Sequence, residues 1–204
     1  MKGVFSLGNL HVSDFIKGDE DYIDREKYDL TMVIDEDHGA ARLISQAPHH
    51  MMWGKYWYRS GINQTMTRHL KEIVYETKKI VKFNDGDVWL DIACNDGTLL
   101  NFVNDPTADP QNKNTQLIRI GIDPADDSYS NESINSAEHI VQDYFSKTAY
   151  ESVSRKKAKV VTTIAMFYDL ADPRQFIKDV YDVLEDNGVW VVQMSYTPLM
   201  IKQM

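Results

Sequence analysis

The stretch VWLDIACNDG at residues 88–97 decides the fold, because a short apolar run passes directly into a polar turn that contains one glycine. A helical pattern from Thr98 to Val103 follows at once. Strand, turn and helix in this order are typical of the first unit of a parallel sheet. Four further strand candidates follow, at residues 117–122, 139–141, 159–165 and 188–194.

Helical patterns separate these apolar runs. Apolar residues at spacings of three and four predict a helix from Ile62 to Ile80. Asp172 and Pro173 suit the cap and first position of another helix, and Gly188 suits the turn that ends it. Its expected buried face comprises Phe176, Ile177, Val180, Tyr181 and Leu184. Alternating strands and helices predict an α/β fold, with a Rossmann-like, mostly parallel sheet flanked by helices.

The first 50 residues differ from the rest of the chain. They hold ten acidic and five basic residues, and acidic runs separate short apolar pieces at residues 4–5, 30–34 and 40–44. This pattern is typical of short strands joined by turns. We therefore expect a small N-terminal lobe at residues 1–55 and a main domain at residues 56–204.

Composition excludes several classes of protein. The chain has 204 residues, a formal charge of −9 and one cysteine, Cys94, so a disulfide framework is impossible and a reducing, cytoplasmic setting is expected. Three cations at residues 155–157 form the densest basic run, which is too small to attract a nucleic acid or an anionic membrane. No apolar stretch approaches the length of a membrane span.

The turns after the predicted strands are the places to search for a ligand site, because ligands of open parallel sheets bind at the carboxyl ends of strands. The turn at residues 91–97 has one glycine and several acids, which argues against a phosphate and favours a cationic or hydroxyl-rich ligand. Asp123 is placed to accept hydrogen bonds from a ribose, or is a plain turn residue before Pro124. The aromatic residues in the turns at 143–145 and 164–169 suit an adenine ring, or complete the core.

Several motifs together resemble a known family. They are residues 91–97, the Gly121-Ile122-Asp123-Pro124 run, residues 166–170 and the strand that begins at Gly188. In order and spacing they resemble the class I S-adenosylmethionine-dependent methyltransferases. The YWYRSG run at residues 56–61 and the Ser195-Tyr196-Thr197-Pro198 run are similar, more narrowly, to C-methyltransferases of nucleotide-linked keto-deoxysugars.

The resemblance implies S-adenosylmethionine as the cofactor and a role for each matching residue. The methionine part would lie against Asp91, Ala93, Asn95 and Gly97, and the ribose against Asp123 and Pro124. The adenine would lie against Asp143, Tyr144, Ala165, Met166 and Phe167. Tyr58, Arg59 and Ser60 would close over the cofactor. Tyr58 would be the catalytic residue nearest the substrate carbon, in a family that uses a Tyr or His base to form an enolate before methyl transfer.

The sequence departs from that family in three places. Asp35 and His38 stand where the second cysteine pair of a zinc module would be, so the lobe resembles a degenerate remnant and no metal site is expected. The chain stops before the segment with a His-Glu-His-like motif, and five sheet strands are predicted instead of seven. The final strand would then have an uncovered edge for a second copy or a partner chain. Three functions stay open: a methyltransferase with a small-molecule acceptor, a non-catalytic cofactor-binding module and a cofactor-cleaving enzyme.

Overall fold

The structure is a computed structural model that describes residues 2–11, 26–37, 39–53, 58–111, 113–125 and 135–203. The motif residues His38, Tyr56 and Trp57 lie outside these ranges. The chain divides into two compact units, Met1–Tyr56 and Trp57–Met204. In the part of the chain that the structure describes, no helix is long and apolar enough to cross a membrane.

The first unit contains a three-stranded antiparallel sheet. Its strands are β1 (Lys2–His11), β2 (Lys27–Asp35) and β3 (Ala40–Leu43), paired in that order, and helix α1 (His49–Trp53) follows. Among the described residues of this unit, Val33 is the one buried apolar side chain. The predicted strands are present, but β1 and β2, with ten and nine residues, are longer than the short strands that the sequence predicted.

The second unit opens with a short 3₁₀ turn at Ser60–Ile62 and the long helix α2 (Gln64–Ile80). The Asn63 side chain caps this helix, since Oδ1 accepts hydrogen bonds from the backbone N–H groups of Thr65 at 2.8 Å and Met66 at 3.3 Å. The predicted start at Ile62 is therefore two residues early, and Ile62 is 76% exposed.

A five-stranded sheet forms the centre of the second unit. Its strands are β4 (Val88–Ile92), β5 (Ile118–Ile122), β6 (His139–Val141), β7 (Ala158–Ile164) and β8 (Leu184–Gln193). Their spatial order is β6-β5-β4-β7-β8, and all four pairings are parallel. The remaining helices are α3 (Thr98–Val103), α4 (Lys147–Glu151), α5 (Pro173–Val183) and α6 (Thr197–Gln203). The predicted Rossmann-like sheet with flanking helices is confirmed.

Each face of the sheet carries its own hydrophobic core. Leu90 of β4 packs on one face with Tyr150 of α4 and Phe176 of α5. Its neighbour Trp89 packs on the other face with apolar side chains of α2 and α3. Successive side chains of a strand point to opposite faces, so β4 is buried along its whole length and fixes the position of the turn that follows it.

The predicted start of helix α5 is confirmed, and part of its predicted buried face is wrong. The Asp172 carboxylate accepts a hydrogen bond from the Gln175 backbone N–H at 3.0 Å, and Pro173 occupies the first turn, as predicted. The prediction that Ile177 and Tyr181 are buried is wrong, since they are 44% and 77% exposed. The buried side is the row of Phe176, Val180 and Val183, and each exposed residue lies about 100° around the helix from this row.

Strand β8 begins at Leu184, directly after α5, so Gly188 does not end the helix as predicted. Gly188 lies inside the strand, where the register with β7 is irregular, and regular pairing resumes at Val189 opposite Val160. No strand of the described residues pairs with the far side of β8. This edge is the one that the sequence predicted to be uncovered.

Candidate functional site

The carboxyl ends of the five parallel strands meet at one edge of the sheet, and the predicted ligand-binding turns follow four of these strands. Backbone hydrogen bonds join neighbouring turns. The N–H of Ala93, after β4, donates to the carbonyl of Ile122 in β5 at 2.8 Å. The N–H of Asp123, after β5, donates to the carbonyl of Val141 in β6 at 3.1 Å. These bonds fix the turns after β4, β5 and β6 relative to one another.

The first turn, residues 93–97, has an unusual backbone. Ala93, Asn95 and Gly97 all have left-handed conformations, with φ values of 58°, 51° and 74°. Glycine adopts this region freely, whereas other L-residues incur a cost of about 1–2 kcal/mol each. Two strained residues in one turn at the carboxyl end of a central strand are typical of a binding site.

The Asp123 carboxylate joins the first turn to the second. Its Oδ2 accepts a hydrogen bond from the Asn95 backbone N–H at 2.8 Å, and its Oδ1 accepts one from the Ala125 N–H at 2.8 Å. Burial raises the pKa of this carboxyl, while the two N–H donors act in the opposite direction. Each oxygen keeps a second lone pair, so the carboxylate retains the capacity to accept two hydroxyl protons from a ligand. Pro124, between the two bonded segments, is half-buried.

The Asp91 carboxyl lies at the end of β4 and is 3% exposed. Its Oδ1 accepts a hydrogen bond of 2.6 Å from the Thr162 hydroxyl of the adjacent strand β7. Burial raises the pKa of Asp91 to about 7, the Thr162 hydrogen bond opposes this rise, and the negative charge of Asp123 adds to it. Asp91 was predicted as a site residue and Thr162 was not; the signal in the sequence was a pair of threonines directly after two valines of the same strand.

A segment that we call the strap, residues 58–61, lies against the first turn. The Asn95 Oδ1 accepts the Ser60 N–H at 3.0 Å, and the Asn95 Nδ2 donates to the Tyr58 carbonyl at 2.7 Å. A third bond of 2.8 Å runs from the Gly61 N–H to the Asp96 carboxylate. A Cβ atom at Gly61 would lie 2.8 Å from the Thr98 hydroxyl, so glycine permits this close approach. The strap therefore brings Tyr58, Arg59 and Ser60 to the first turn.

The turn after β6 is more open. The Asp143 carboxylate accepts a hydrogen bond from the N–H of the next residue, Tyr144, at 2.7 Å, and Tyr144 is 41% exposed. Phe145 turns inward instead, with its ring centroid 5.1 Å from that of Phe176. The three predicted adenine neighbours of this turn thus divide into two exposed side chains and one core side chain.

The turn after β7 divides in the same way. Ala165 is exposed and has a φ of 56°, and its N–H donates to the Gln193 carbonyl at 2.8 Å. Phe167 packs inward, with its ring centroid 5.7 Å from that of Trp190. Met166 also packs against this core cluster. Of the three residues predicted here, Ala165 is the one exposed at the candidate site.

Two polar features of this edge have no role that the sequence predicted, although Asp169 belongs to one of the quoted motifs. Asp169, in the 3₁₀ turn Phe167–Asp169, is half-buried, and burial raises its pKa to about 6. The His69 Nε2 of α2 and the Gln193 Oε1 of β8 lie 3.0 Å apart across 124 residues of sequence. The only local signal for the second feature was a glutamine at the end of an apolar strand.

Another groove lies at the amino ends of β4 and β5, away from this edge. Its lining residues are Lys78, Phe83, Asp109, Gln111, Lys113, Thr115 and Leu117. Burial lowers the pKa of Lys78, and the nearby Asp109 and Asp105 oppose this effect. Because the groove contains none of the predicted site residues, the carboxyl edge remains the candidate site.

Comparisons with known proteins agree with the architecture. No protein-family model and no curated protein sequence matches the chain. Among solved structures, the plantazolicin methyltransferase BpumL in complex with SAH is similar at a TM-score of 0.52 and 13% identity, covering 70% of this chain and 52% of BpumL. BpumL with SAH and a triazolic desmethylPZN analog gives a TM-score of 0.51, with the same identity and coverage.

A SAM-dependent methyltransferase from Thiobacillus denitrificans in complex with S-adenosylhomocysteine has a TM-score of 0.42 and 16% identity, covering 59% of this chain and 47% of that enzyme. The chain spans about half the length of these solved structures. The two BpumL structures show that the chain shares the fold of a methyltransferase.

Proposed function

We propose that this chain binds S-adenosylmethionine and is the cofactor-binding part of a methyltransferase for a small-molecule acceptor. One observation carries the proposal: the left-handed turn at residues 93–97 is hydrogen-bonded to Asp123 at the end of the adjacent strand. This arrangement places acidic side chains at the same strand ends as backbone that a ligand can approach closely. The fold shared with BpumL, which was solved with SAH, supports it.

The chemistry of the site fits such a cofactor. S-adenosylmethionine carries a sulfonium and an ammonium group, and burial raises the pKa values of the buried Asp91 and the half-buried Asp123, with the charge of Asp123 adding to the rise at Asp91. A bound cation would relieve their mutual repulsion and favour their ionised forms. The ribose hydroxyls would occupy the remaining lone pairs of Asp123. Adenine would lie between Asp143, Tyr144 and Ala165, with Met166 and Phe167 supporting the ring from the core side.

The cofactor supplies an electrophilic methyl group, and the chain supplies its orientation and the handling of the acceptor. We propose that Gly97, Ala93 and Asn95 orient the methionine part, and that the strap residues Tyr58, Arg59 and Ser60 cover it. Tyr58 is 41% exposed, and its phenol is the proposed catalytic group that faces the acceptor. A tyrosine there takes up or positions an acceptor proton.

The acceptor that we propose is a nucleotide-linked sugar, on the resemblance of residues 56–61 and 195–198 to sugar C-methyltransferases. We further propose residues 1–55 as a degenerate zinc-module lobe without metal, residues 56–204 as the cofactor domain, and the cytoplasm as the location. A second copy or a partner chain would pair with the free edge of β8.

Two alternatives to a methyltransferase are a non-catalytic cofactor-binding module that needs such a partner, and an enzyme that cleaves the cofactor.

Calorimetry with S-adenosylhomocysteine tests the cofactor proposal. We expect saturable binding by the unaltered protein and at least about tenfold weaker binding by Asp123→Ala, because the ribose loses a charged acceptor. Asp186→Ala, which removes an exposed carboxylate of β8, is the matched control and should bind normally. An absence of binding at millimolar ligand would refute the proposal.

Incubation with S-adenosylmethionine but no acceptor distinguishes a cofactor-cleaving enzyme from the other two functions, because cleavage alone releases product under these conditions.

A further inference from the structure

The Asn95 side chain is bonded to the strap through both ends of its amide. Its Oδ1 lies 3.0 Å from the Ser60 backbone nitrogen and 3.4 Å from the Ser60 hydroxyl, and its Nδ2 lies 2.7 Å from the Tyr58 carbonyl oxygen. Both ends of the amide are therefore engaged by the same short segment. Asp96 adds a single bond, to the Gly61 N–H.

This side chain stands at a position that favours glycine. The φ of Asn95 is 51°, and glycine would adopt this conformation without strain. Asparagine tolerates the left-handed region better than most residues, but it still costs more than glycine there. The contacts to Tyr58 and Ser60 offset this cost, which gives the side chain a role that its backbone conformation does not explain.

We propose that Asn95 is a latch: its side chain holds the strap on the first turn, and the strap must come off this side chain for the cofactor to enter or leave. The second half of this statement rests on the proposed function. The predicted cofactor contacts lie on both sides of Asn95, with Tyr58 and Ser60 in the strap and Ala93 and Gly97 in the turn. A ligand that contacts both the strap and the first turn enters between two segments that hydrogen bonds of the Asn95 side chain hold together.

The substitution Asn95→Gly isolates the latch. Glycine keeps the left-handed backbone, and it keeps the N–H that donates to Asp123. It removes the amide that binds Tyr58 and Ser60, which is also the side chain that we propose lies against the methionine part of the cofactor. Since the bond between Gly61 and Asp96 remains, the variant is expected to fold with its first turn intact.

Hydrogen exchange of the ligand-free protein tests the first half of the proposal. In Asn95→Gly we expect the Ser60 amide to exchange at least about tenfold faster, because its acceptor is gone. The Asn101 amide, bonded to the Gly97 carbonyl at 3.1 Å in α3, reports whether the turn itself is intact and should be unchanged. Ser60→Ala is the matched control, since it removes the hydroxyl at 3.4 Å and keeps the backbone bond. Unchanged Ser60 exchange in Asn95→Gly overturns the latch.

Stopped-flow measurement with S-adenosylhomocysteine tests the second half. We expect both association and dissociation to be about tenfold faster in Asn95→Gly than in the unaltered protein, since losing a direct cofactor contact alone would not speed association. The exposed Asp186→Ala variant should stay close to the unaltered rates. Equal dissociation rates, despite faster Ser60 exchange, overturn the role of the latch in cofactor release. If the unaltered protein does not bind the ligand, the proposed function fails, and the exchange experiment still decides whether Asn95 holds the strap.

Discussion

The Thr162 hydroxyl donates a 2.6 Å hydrogen bond to the Asp91 carboxylate, and this bond links the ends of the two central strands β7 and β4. The same hydroxyl oxygen lies 3.3 Å from the Trp89 indole nitrogen, which donates to it. A buried acid is thus held by one neutral donor and no cation among the described residues. This arrangement makes folding stability depend on pH.

The first prediction concerns this pH dependence. Asp91 has a pKa of about 7 in the folded protein against 3.8 as its ordinary value, so the folded state binds the proton more tightly. Protonated Asp91 therefore stabilises the folded state fully below pH 4, and this stabilisation, roughly 2–4 kcal/mol, is lost as pH rises through 7. In urea unfolding at pH 4.5 and pH 8, Asp91→Asn should therefore gain stability relative to the unaltered protein as pH rises. Asp186→Asn is the exposed control. A stability difference that stays constant with pH for Asp91→Asn would contradict the prediction.

The second prediction concerns the left-handed alanines. Ala93→Gly and Ala165→Gly should each stabilise the protein by roughly 0.5–1 kcal/mol. Glycine removes the backbone strain of alanine at φ values of 58° and 56°, and this gain exceeds the extra conformational entropy that glycine loses on folding. The control is Ala149→Gly in α4, which should destabilise by about 1 kcal/mol or more because helices disfavour glycine. Thermal unfolding measures all three variants. Losses of similar size at all three positions would show that residues 93 and 165 are not strained.

Local signals in the sequence predicted much of the second unit. Asp172 and Pro173 mark the start of α5 because a cap and a first-turn proline act within three residues of chain. The exposure of Ile177 and Tyr181 was not predictable in this way. Apolar periodicity gives the width of a helical face, but the part of that face that is covered depends on neighbours distant in sequence.

The candidate site shows the same limit. The acids and the glycine of the first turn are visible in sequence because they directly follow an apolar strand. The partner of Asn95 is not, since Ser60 lies 35 residues away and a single asparagine has no preferred distant partner. Left-handed backbone at Ala93 was equally hidden, because alanine is not a residue that signals such a conformation.

The third prediction concerns close packing at Gly121. A Cβ atom there would lie 2.6 Å from the Cys94 sulfur and 2.7 Å from the Ile140 Cδ1. Gly121→Ala should therefore destabilise the protein by about 1–3 kcal/mol in urea unfolding. Adding Cys94→Ala removes the nearer of the two atoms, so the double variant should be more stable than the sum of the single effects by at least about 0.5 kcal/mol. Strictly additive effects would mean that Cys94 does not restrict residue 121.

The fourth prediction concerns the free edge of β8. Glu185 and Asp186 lie at the start of β8, but the regularly paired part from Val189 to Gln193 carries no charge, and Val192 is 41% exposed. Exposed edges in stable monomers usually carry charges or proline. If a second copy covers this edge, as we propose for a partner of the chain, the protein associates as its concentration rises. Val192→Lys should then shift light-scattering masses toward the monomer. Ile80→Lys changes a 74% exposed side chain at the end of α2 and should leave association unchanged. A mass that stays monomeric at all concentrations would exclude pairing between copies and leave a different chain as the proposed partner.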